Sequence, residues 1–398
     1  MARRPSPEGD PEELTTDDRP LVSNADLKSW FSRFRAALTP APATDDPAAD
    51  DTTAPDDELM RVLRVFEDVV KQQTRQTEKY KTRLANYERE LAELRERVAG
   101  DATTIERLTQ TQSRVEALLS ANQRHRRLLD TLDRKLDRAA ISESIEKSVA
   151  AAEVEQDPSL HVYLTDLLPK DFYELLLETM PPPECFRYAD PTKQDFEPHD
   201  GSLVPDLSRV VWSFFEDEVV DKMLGPALLA RFRPFVTDHY ARIFGPEYAA
   251  EAAAWPQRAR GRLMLRRPGY FLAPHLDPKK VLFTTLIYFA RPGDNEEHGT
   301  QLYRVDRPFQ ASSLKTYYPQ QHGYQCELAR TVPFRPNTGF AFMNGEAAHG
   351  ANIPPDSDQT ERYAYQFYTM PAGHDFVDLV RRLPPDRRDL FEGVDLTP

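Results

Sequence analysis

The chain has 398 residues, of which 40% are hydrophobic and 29% are charged. This length and apolar content suffice for one globular domain with a sizeable core but not for burial throughout, so we expect one such domain together with an extended part. The net charge of -14 disfavours nonspecific contact with phosphate backbones and argues against nucleic acid as a partner.

Cysteine content and the first residues bear on the compartment. The chain has two cysteines, Cys185 and Cys326, which lie too far apart in sequence to suggest a disulfide framework or a thiolate zinc cluster. Residues 1–18 lack the apolar core of a signal peptide, and no stretch reaches transmembrane length. We therefore predict a cytoplasmic protein with no membrane partner.

Residues 1–56 are rich in Pro, Asp, Ala and Thr and predict a disordered acidic arm. An apolar island around Leu27, Trp30, Phe31 and Phe34 interrupts this composition and is compatible with a short helix. Two interpretations remain open at this point: a solvated tail that adds solubility, or an arm whose island docks on a partner.

A heptad seam follows, in which mainly apolar residues recur at alternating spacings of three and four from Leu59 to Leu136. The positions between them are mainly charged or amide side chains, so one face is apolar and a single helix cannot bury it alone. We predict a coiled coil over residues 57–140 and a homo-oligomer formed through residues 59–136.

Polar residues within the seam bear on how the coiled coil pairs. Gln112, Asn122 and Arg126 occupy seam positions, where they are expected to fix register at some cost in stability. Gly100 and Asp101 interrupt the apolar seam, so an antiparallel hairpin that folds back on itself is the alternative arrangement.

Past Ser148 the composition changes: aromatic, proline and β-branched residues become frequent and the heptads end. We place a linker at residues 141–157 and a globular domain at residues 158–398. The domain begins with a predicted short strand and a helix that Lys170 and Asp171 open, and helical patterns recur at 206–220 and 226–244.

After Trp255 the hydrophobic period switches to two or to short apolar runs separated by Pro, Gly, Asp and Asn. Such runs predict strands, here Gly261–Leu265, Val281–Ala290, Gln301–Val305, Gly339–Met343 and Arg362–Met370. With few helices among them, they indicate an antiparallel β-sandwich or barrel with supporting helices before it and a short closing helix at 376–383.

One group of residues has the pattern of a metal site. His275 and Asp277 stand two apart at the end of an extended segment, so alternation places both side chains on one face. That pair alone is weak, because a chain with nine histidines contains such a pair by chance. A later apolar strand leads to His349, and the three side chains make a 2-His-1-carboxylate set, which binds non-haem iron(II) and leaves three coordination positions open.

The stretch from about residue 260 to 370 resembles the prolyl 4-hydroxylase-like branch of the 2-oxoglutarate and iron(II) dependent oxygenases. The residues that carry this resemblance are His275 and Asp277 in APHLD, Thr284 and Tyr288 in FTTLIYFA, Gly299 in HGTQL, His349 in AAHG and Arg362 in ERYA. The fold it implies is of the α+β class: a C-terminal double-stranded β-helix (jelly roll) with supporting helices, preceded by the long coiled coil and the disordered arm.

The resemblance also implies roles for the residues. Fe(II) would be held by the triad, and Arg362 would form a bidentate salt bridge with the C5 carboxylate of 2-oxoglutarate, for which a planar guanidinium suits better than an ammonium. Tyr288 would donate to the same carboxylate, and Thr284 would lie further back on the same inner face. The implied activity is O2-dependent hydroxylation of an unidentified peptide or protein side chain or small metabolite, releasing succinate and CO2, with ascorbate as a reductant.

Two departures from the family pattern are a threonine, Thr300, where a second glycine is frequent, and a longer loop between His349 and Arg362. Two other interpretations stay open: the histidines hold a structural zinc or are ordinary hydrogen-bonded residues, or the protein is a catalytically silent coiled-coil scaffold with a ligand-binding β-barrel head. Arg266, Arg267 and Lys193, with Gln194, are candidates for the substrate mouth or for solvated rim charges.

Overall fold

A computed structural model describes residues 55–199, 203–306, 315–345, 348–388 and 391. The predicted arm, except for its last two residues, lies outside this described part. The chain divides into two compact units, residues 1–95 and 96–398. Within the described residues, no helix combines the length and the apolar character needed to cross a bilayer.

Helix α1, Pro55–His125, is one unbroken α-helix of 71 residues. It passes through Gly100 without a turn, so the hairpin alternative is wrong. A glycine inside a helix lowers the stability of the helix by about 1 kcal/mol relative to alanine. Because no proline or second turn residue lies beside Gly100, this loss does not end the helix. The hydroxyl groups of Thr103 and Thr104 donate to the carbonyls of Ala99 and Gly100, four residues back.

The chain leaves this helix earlier than the predicted end of the coiled coil at residue 140. After His125 come a 3-10 helix, Arg126–Thr131, and a single helical turn, α2, Leu132–Lys135. Helix α3 follows at Arg138–Ala151, where the sequence analysis placed a linker. The Asp137 carboxylate caps it by accepting from two backbone N–H groups, which satisfies donors that a helix start leaves unpaired.

The inner face of α3 belongs to the core of the globular domain rather than to a linker. Its apolar residues follow the spacing of one helix face, and Ile141, Ile145 and Val149 are all buried. The short strand β1, Val154–Glu155, leads from this helix to the sheet.

Further helices support the sheet. They are α4 (Lys170–Glu178), α5 (Asp206–Phe214), a π-helical segment (Phe215–Leu224), α6 (Gly225–Phe244), α7 (Pro246–Ala253), α8 (Asp375–Arg382) and α9 (Pro385–Arg388). The predicted closing helix at 376–383 corresponds to α8.

Eleven more strands complete two antiparallel sheets. They are β2 (His161–Leu164), β3 (Arg187–Asp190), β4 (Lys193–Phe196), β5 (Gln257–Arg266), β6 (Phe271–His275), β7 (Phe283–Tyr288), β8 (Gln301–Val305), β9 (Cys326–Thr331), β10 (Thr338–Met343), β11 (Ala348–Asn352) and β12 (Arg362–Pro371). The larger sheet has the order β1-β2-β10-β7-β12-β5-β4-β3, and the smaller has the order β6-β11-β8-β9.

The eight strands from β5 to β12 form the double-stranded β-helix. Successive strands change sheets along the chain, except for β8 and β9, and the central orders β5-β12-β7-β10 and β6-β11-β8-β9 are those of a jelly roll. The predicted α+β fold class is therefore confirmed. The five predicted strands agree with the structure to within a few residues at their ends, whereas β1, β3, β4, β9 and β11 were not predicted.

The main core lies between the supporting helices and the outer face of the larger sheet. Trp212 and Phe215 from the helices contact Phe289 and Tyr365 from the sheet, with ring centroids 5.2–6.3 Å apart. These side chains are fully buried, and burying each apolar side chain of this size contributes about 1.5–3 kcal/mol. This packing holds the larger sheet in place from its outer face. The inner face does not take part in it and is available for a site.

Candidate metal centre

The register between two strands of the smaller sheet brings the predicted ligands together. His275 ends β6, and His349 in β11 pairs directly with it. Asp277 follows two residues after His275, and one donor atom from each of the three residues lies within 4.8 Å of the others. His349 Nε2 is 3.5 Å from Asp277 Oδ2, and His275 Nε2 is 3.9 Å from Asp277 Oδ1.

Both imidazoles present a free nitrogen to this centre. His275 Nδ1 is 2.9 Å from the Ala273 carbonyl oxygen, which can only accept, so Nδ1 carries the proton and the Nε2 lone pair is free. Neither ring nitrogen of His349 has a hydrogen-bond partner in the described chain. Burial, together with the nearby His275, lowers the pKa of His349 to about 3, although Asp277 opposes the shift. A neutral, buried imidazole without a partner suits a metal ligand.

The Asp277 carboxylate is held by two hydroxyl groups. Thr284 Oγ1 donates to Oδ2 over 2.5 Å, and the Tyr368 hydroxyl donates to Oδ1 over 3.3 Å. Burial and the Asp277 charge raise the pKa of Tyr368, which keeps this hydroxyl protonated. The Asn344 side-chain amide donates to the carbonyls of Asp277 and Pro278 and so fixes the turn that carries the ligand.

Arg362 lies at the first position of β12, where it is buried. Its guanidinium lies 5.0 Å from the ring centroid of Phe334 and 5.5 Å from that of Tyr288. Within the described residues, its Nε and one terminal nitrogen have no hydrogen-bond partner. A buried guanidinium with unpaired donors is costly unless an anion pairs with it, and the planar fork fits a carboxylate.

The Tyr288 hydroxyl is engaged with Thr300. It donates to Thr300 Oγ1 over 2.7 Å and accepts from the Thr300 backbone N–H over 3.2 Å. Thr300 is the residue that stands where the family often has glycine, and it was not predicted as a site residue. Gly299 before it has no room for a side chain, because a Cβ there would lie 1.5 Å from the Val332 carbonyl oxygen.

A cavity of about 140 Å³ joins the triad to Arg362. Its polar lining comes from Thr300, Thr316, Tyr318, Gln366 and Tyr368, and its cationic lining from Lys193, Arg262, Arg266 and Arg362. Arg266 is paired, because it donates to Asp195 over 2.7 Å. The structure thus places Lys193 and Arg266, named as mouth candidates, at the cavity.

Thr284 lies further back along β7 than Tyr288 on the same inner face, as the resemblance implied, and it contacts the metal ligand. It lies four residues before Tyr288 on β7, or about 13 Å along an extended strand, and its hydroxyl is directed to the metal ligand rather than toward Arg362. The sequence placed Thr284 on the correct face but could not fix its distance from the carboxylate of the cosubstrate.

Residues outside this centre have other roles. His298 is buried and lies 3.0 Å from the side-chain oxygen of Gln359, which agrees with a structural interpretation. Burial raises the pKa of Cys185 to about 11 and that of Cys326 above its usual value. Both cysteines are therefore poor nucleophiles.

No protein-family model matches the chain, and no curated protein matches it significantly. Solved structures do match. A Phytophthora capsici prolyl 4-hydroxylase has 17% identity and a TM-score of 0.33, over 59% of this chain and 66% of that one. A Pseudomonas putida prolyl-4-hydroxylase has 12% identity and a TM-score of 0.32, over 58% and 98%.

A third match is an oxidoreductase of the 2OG-Fe(II) oxygenase family from Burkholderia pseudomallei, with 10% identity and a TM-score of 0.28, over 53% of this chain and 84% of that one. Likenesses at these scores are too weak to support a functional inference, which rests instead on the geometry of the site. This chain is structurally similar to 2-oxoglutarate and iron(II) dependent oxygenases, prolyl 4-hydroxylases among them.

Proposed function

We propose that the globular domain is an Fe(II) and 2-oxoglutarate dependent dioxygenase that hydroxylates its substrate and releases succinate and CO2. One observation carries this proposal: a buried His275, Asp277 and His349 set and a buried, incompletely paired Arg362 line the same cavity. The triad would hold the iron, and Arg362 would hold the distal carboxylate of the cosubstrate.

The donor set favours iron(II) over a structural zinc. Structural zinc sites are closed by four protein ligands, whereas three ligands on one face leave positions for a cosubstrate and oxygen. In the described part of the chain, the ligand cluster contains three residues and no fourth histidine, cysteine or carboxylate. Two neutral imidazoles and one carboxylate also leave a net positive charge on the bound metal, which attracts an anionic chelate.

The cavity walls suit 2-oxoglutarate. Arg362 offers unpaired donors for one carboxylate, and the Thr300 hydroxyl, fixed by Tyr288, lies on the same wall. When bound, iron and 2-oxoglutarate supply the activation of O2, with ascorbate as a reductant that keeps the iron ferrous. The protein orients the cosubstrate and excludes water, and the Thr284 and Tyr368 hydroxyl groups hold the carboxylate ligand in place.

The substrate is proposed only by class, as a peptide or protein side chain or a small metabolite. Products that gain the mass of one oxygen atom identify it, so both classes should be screened by mass spectrometry with iron-loaded protein. A hit among peptides assigns the first class, and a hit among metabolites assigns the second.

We further propose that the chain forms a homo-oligomer through the heptad seam of α1. Side chains of the seam, such as Tyr80, Leu84 and Leu119, are exposed to 60–67% in the single chain. Exposed apolar side chains in a continuous stripe mark an interaction surface. The same stripe favours the second candidate function, a scaffold whose barrel binds a ligand without turnover.

Succinate formation separates the two functions. The full-length protein should be loaded with Fe(II) and 2-oxoglutarate, exposed to O2 and screened with the substrate library, with His275→Ala as the matched inactive control. A dioxygenase forms succinate that depends on His275. A folded protein that binds 2-oxoglutarate but forms no succinate with any library member supports the scaffold instead.

A further inference from the structure

We propose that the substrate carries an anionic group, a carboxylate or a phosphate, and that Lys193 and Arg262 bind this group at the mouth of the cavity. This inference rests on the dioxygenase function proposed above and adds the chemical class of its substrate. Three features support it: a row of cationic side chains across three strands, an excess of positive charge beside the bound cosubstrate, and a lining rich in hydrogen-bond donors.

Three cationic side chains lie side by side on the inner face of the larger sheet. Lys193 on β4 pairs directly with Arg266 on β5, and Arg266 pairs with Arg362 on β12. Residues paired in this way on adjacent antiparallel strands have Cβ atoms about 4.5–5.5 Å apart, and like charges placed there are destabilising. All three side chains line the cavity. Anions that bind in the cavity therefore relieve the repulsion within this row.

Two members of this row have a counter-ion, and the third has none. The Arg266 guanidinium donates to the Asp195 carboxylate over 2.7 Å, and Arg362 would pair with the distal carboxylate of 2-oxoglutarate. Among the described residues, Lys193 forms no ion pair within 4 Å. Asp190, at the turn between β3 and β4, attracts it only from a greater distance. Lys193 is therefore available to a further anion.

Arg262 lies on the same inner face and is only partly neutralised. Its Nε is 3.6 Å from one Asp195 oxygen while Arg266 occupies the other, so two arginines share one carboxylate. A terminal nitrogen of Arg262 donates to Gln366 Oε1 over 3.0 Å. The Arg262 side chain is 35% exposed, which places it where the cavity opens. Asp195 follows Lys193 by two residues, about 7 Å along a strand, so Lys193 and Arg262 lie within reach of one anion.

Iron and 2-oxoglutarate, when bound, leave these two cations uncompensated. Fe(II) with the Asp277 carboxylate retains one positive charge, and the 2-oxoglutarate dianion neutralises that charge together with the charge of Arg362. Asp277 is the one carboxylate among the described residues that line the cavity. A substrate with an anionic group matches the positive charge that remains at the mouth, and charge complementarity of this kind selects among partners.

The polar lining beside these cations offers mainly donors. Ammonium and guanidinium groups can only donate. The Oε1 atom of Gln366 already accepts from Arg262, which leaves its amide N–H groups for a ligand. The hydroxyl groups of Thr316 and Tyr318 also line the cavity, and neither has a hydrogen-bond partner in the described part of the chain. Anionic oxygens form the strongest hydrogen bonds with such donors.

Inorganic phosphate tests the anion site without a known substrate. The full-length protein should be loaded anaerobically with Fe(II) and saturating 2-oxoglutarate, and its visible band recorded. Because Fe(II) is paramagnetic, it broadens the ³¹P resonance of phosphate bound near it. We expect saturable broadening, with a dissociation constant about tenfold higher in Lys193→Met and in Arg262→Gln. Arg267→Met is the matched control, because Arg267 pairs with Glu361 and lies outside the cavity lining.

The outcomes separate this inference from the dioxygenase proposal. Absence of the visible band would refute both. A band without saturable broadening would refute the anion site alone, and so would equal broadening in all variants, because the phosphate would then bind the metal itself. Weaker 2-oxoglutarate binding in Lys193→Met would also overturn the inference, since Lys193 would then belong to the site of the cosubstrate.

Thermal unfolding of the metal-free protein distinguishes a binding role of Lys193 from a structural one. In Tris chloride buffer without carboxylate or phosphate ions, Lys193→Met should unfold at the same temperature as the natural chain or at a higher one, because it removes a like charge from the row. A lower unfolding temperature would mean that Lys193 stabilises the fold through a partner within the chain, and it would overturn the inference.

The substrate screen identifies the anionic group. Library members should be supplied in matched pairs, each carboxylate with its amide and each phosphate ester with its unphosphorylated parent, and succinate formation measured for both. We expect turnover of the anionic member alone. For the substrate found, Lys193→Met should raise KM about tenfold with kcat changed by less than about twofold, and Lys193→Arg should restore most of the lost affinity. Equal turnover of a substrate and its neutral partner would overturn the inference.

Discussion

The Thr284 hydroxyl donates a hydrogen bond to Oδ2 of Asp277 over 2.5 Å, and both side chains are buried. The same carboxylate oxygen lies 3.5 Å from His349 Nε2. Thr284 therefore sits behind the carboxylate ligand, where it fixes the orientation of the oxygen closest to the second histidine. Side chains that orient a ligand in this way contribute to metal affinity.

Replacing Thr284 by valine should weaken Fe(II) binding by about 10–100-fold. The volume stays nearly the same, but the carboxylate loses its buried donor and can rotate. An anaerobic competition titration with a chromophoric chelator measures the affinity. Thr284→Ser, which keeps the donor, should retain most of it.

The adjacent threonine provides a matched control. Thr285 is fully buried on the same strand, and its hydroxyl has no hydrogen-bond partner in the described chain. Thr285→Val should leave Fe(II) affinity unchanged. Equal losses in the two valine variants would mean that the effect comes from disturbing β7 and not from the bond to Asp277.

Replacing Arg362 by lysine should weaken 2-oxoglutarate binding by about tenfold or more while Fe(II) affinity stays the same. An ammonium keeps the charge but cannot form the paired hydrogen bonds of the guanidinium, and each such bond to a charged group contributes about 1.5–3 kcal/mol. Titration of the iron-loaded, anaerobic protein with 2-oxoglutarate gives both affinities. Arg267→Lys, at a neighbouring arginine that pairs with Glu361, should change neither.

Acid should destabilise the metal-free protein partly through His239. Burial, and to a lesser extent Arg242, lower the pKa of this histidine to about 3, whereas in the unfolded chain it is about 6.5. The neutral imidazole therefore makes its full contribution to the free energy of unfolding above pH 6.5, and this contribution is lost as the pH falls toward 3. At pH 5 the loss is about 2 kcal/mol. The free energy of unfolding, measured by urea denaturation at pH 7.5 and pH 5, should differ less between the two pH values for His239→Leu than for the natural chain. An unchanged difference would exclude this histidine as a source of acid sensitivity.

The domain boundary should lie near residue 112 rather than at 158. A fragment that starts at residue 151 lacks Leu128, Ile141 and Ile145, which are buried. Each contributes about 1.5–3 kcal/mol, a loss comparable with the total stability of a domain of about 5–15 kcal/mol. Thermal unfolding should show a cooperative transition for residues 112–398 and a weakened or absent one for residues 151–398. If both fragments unfolded cooperatively at the same temperature, the boundary at 158 would be supported instead.

The parts of the fold that could be predicted from sequence are those with a local signature. The buried run FTTLIY in β7 and the alternation in β12 are visible in the sequence, and the His275 and Asp277 pair lies within one short segment. The α3 helix was missed although its signals were present, namely Asp137 as a cap and Ile141, Ile145 and Val149 on one face. The boundary was predicted from the composition change near Ser148, and these helix signals lie before that change.

The supporting contacts of the site were missed because they join residues that are distant in sequence. Tyr368 reaches Asp277 across 91 positions, and Asn344 across 67. Alternation along β12 from Arg362 would have placed Gln366 and Tyr368 on the same inner face. It would not have given their distance from the metal ligand. That distance depends on how the two sheets close, which sequence spacing does not encode.

The measurement that tests the central claim most directly is the visible absorption of the anaerobic full-length protein on addition of Fe(II) and then 2-oxoglutarate. The account predicts a weak charge-transfer band of the metal chelate that requires both additions and is absent in folded His349→Ala. Well-folded natural protein that binds no Fe(II) and gives no band would contradict it.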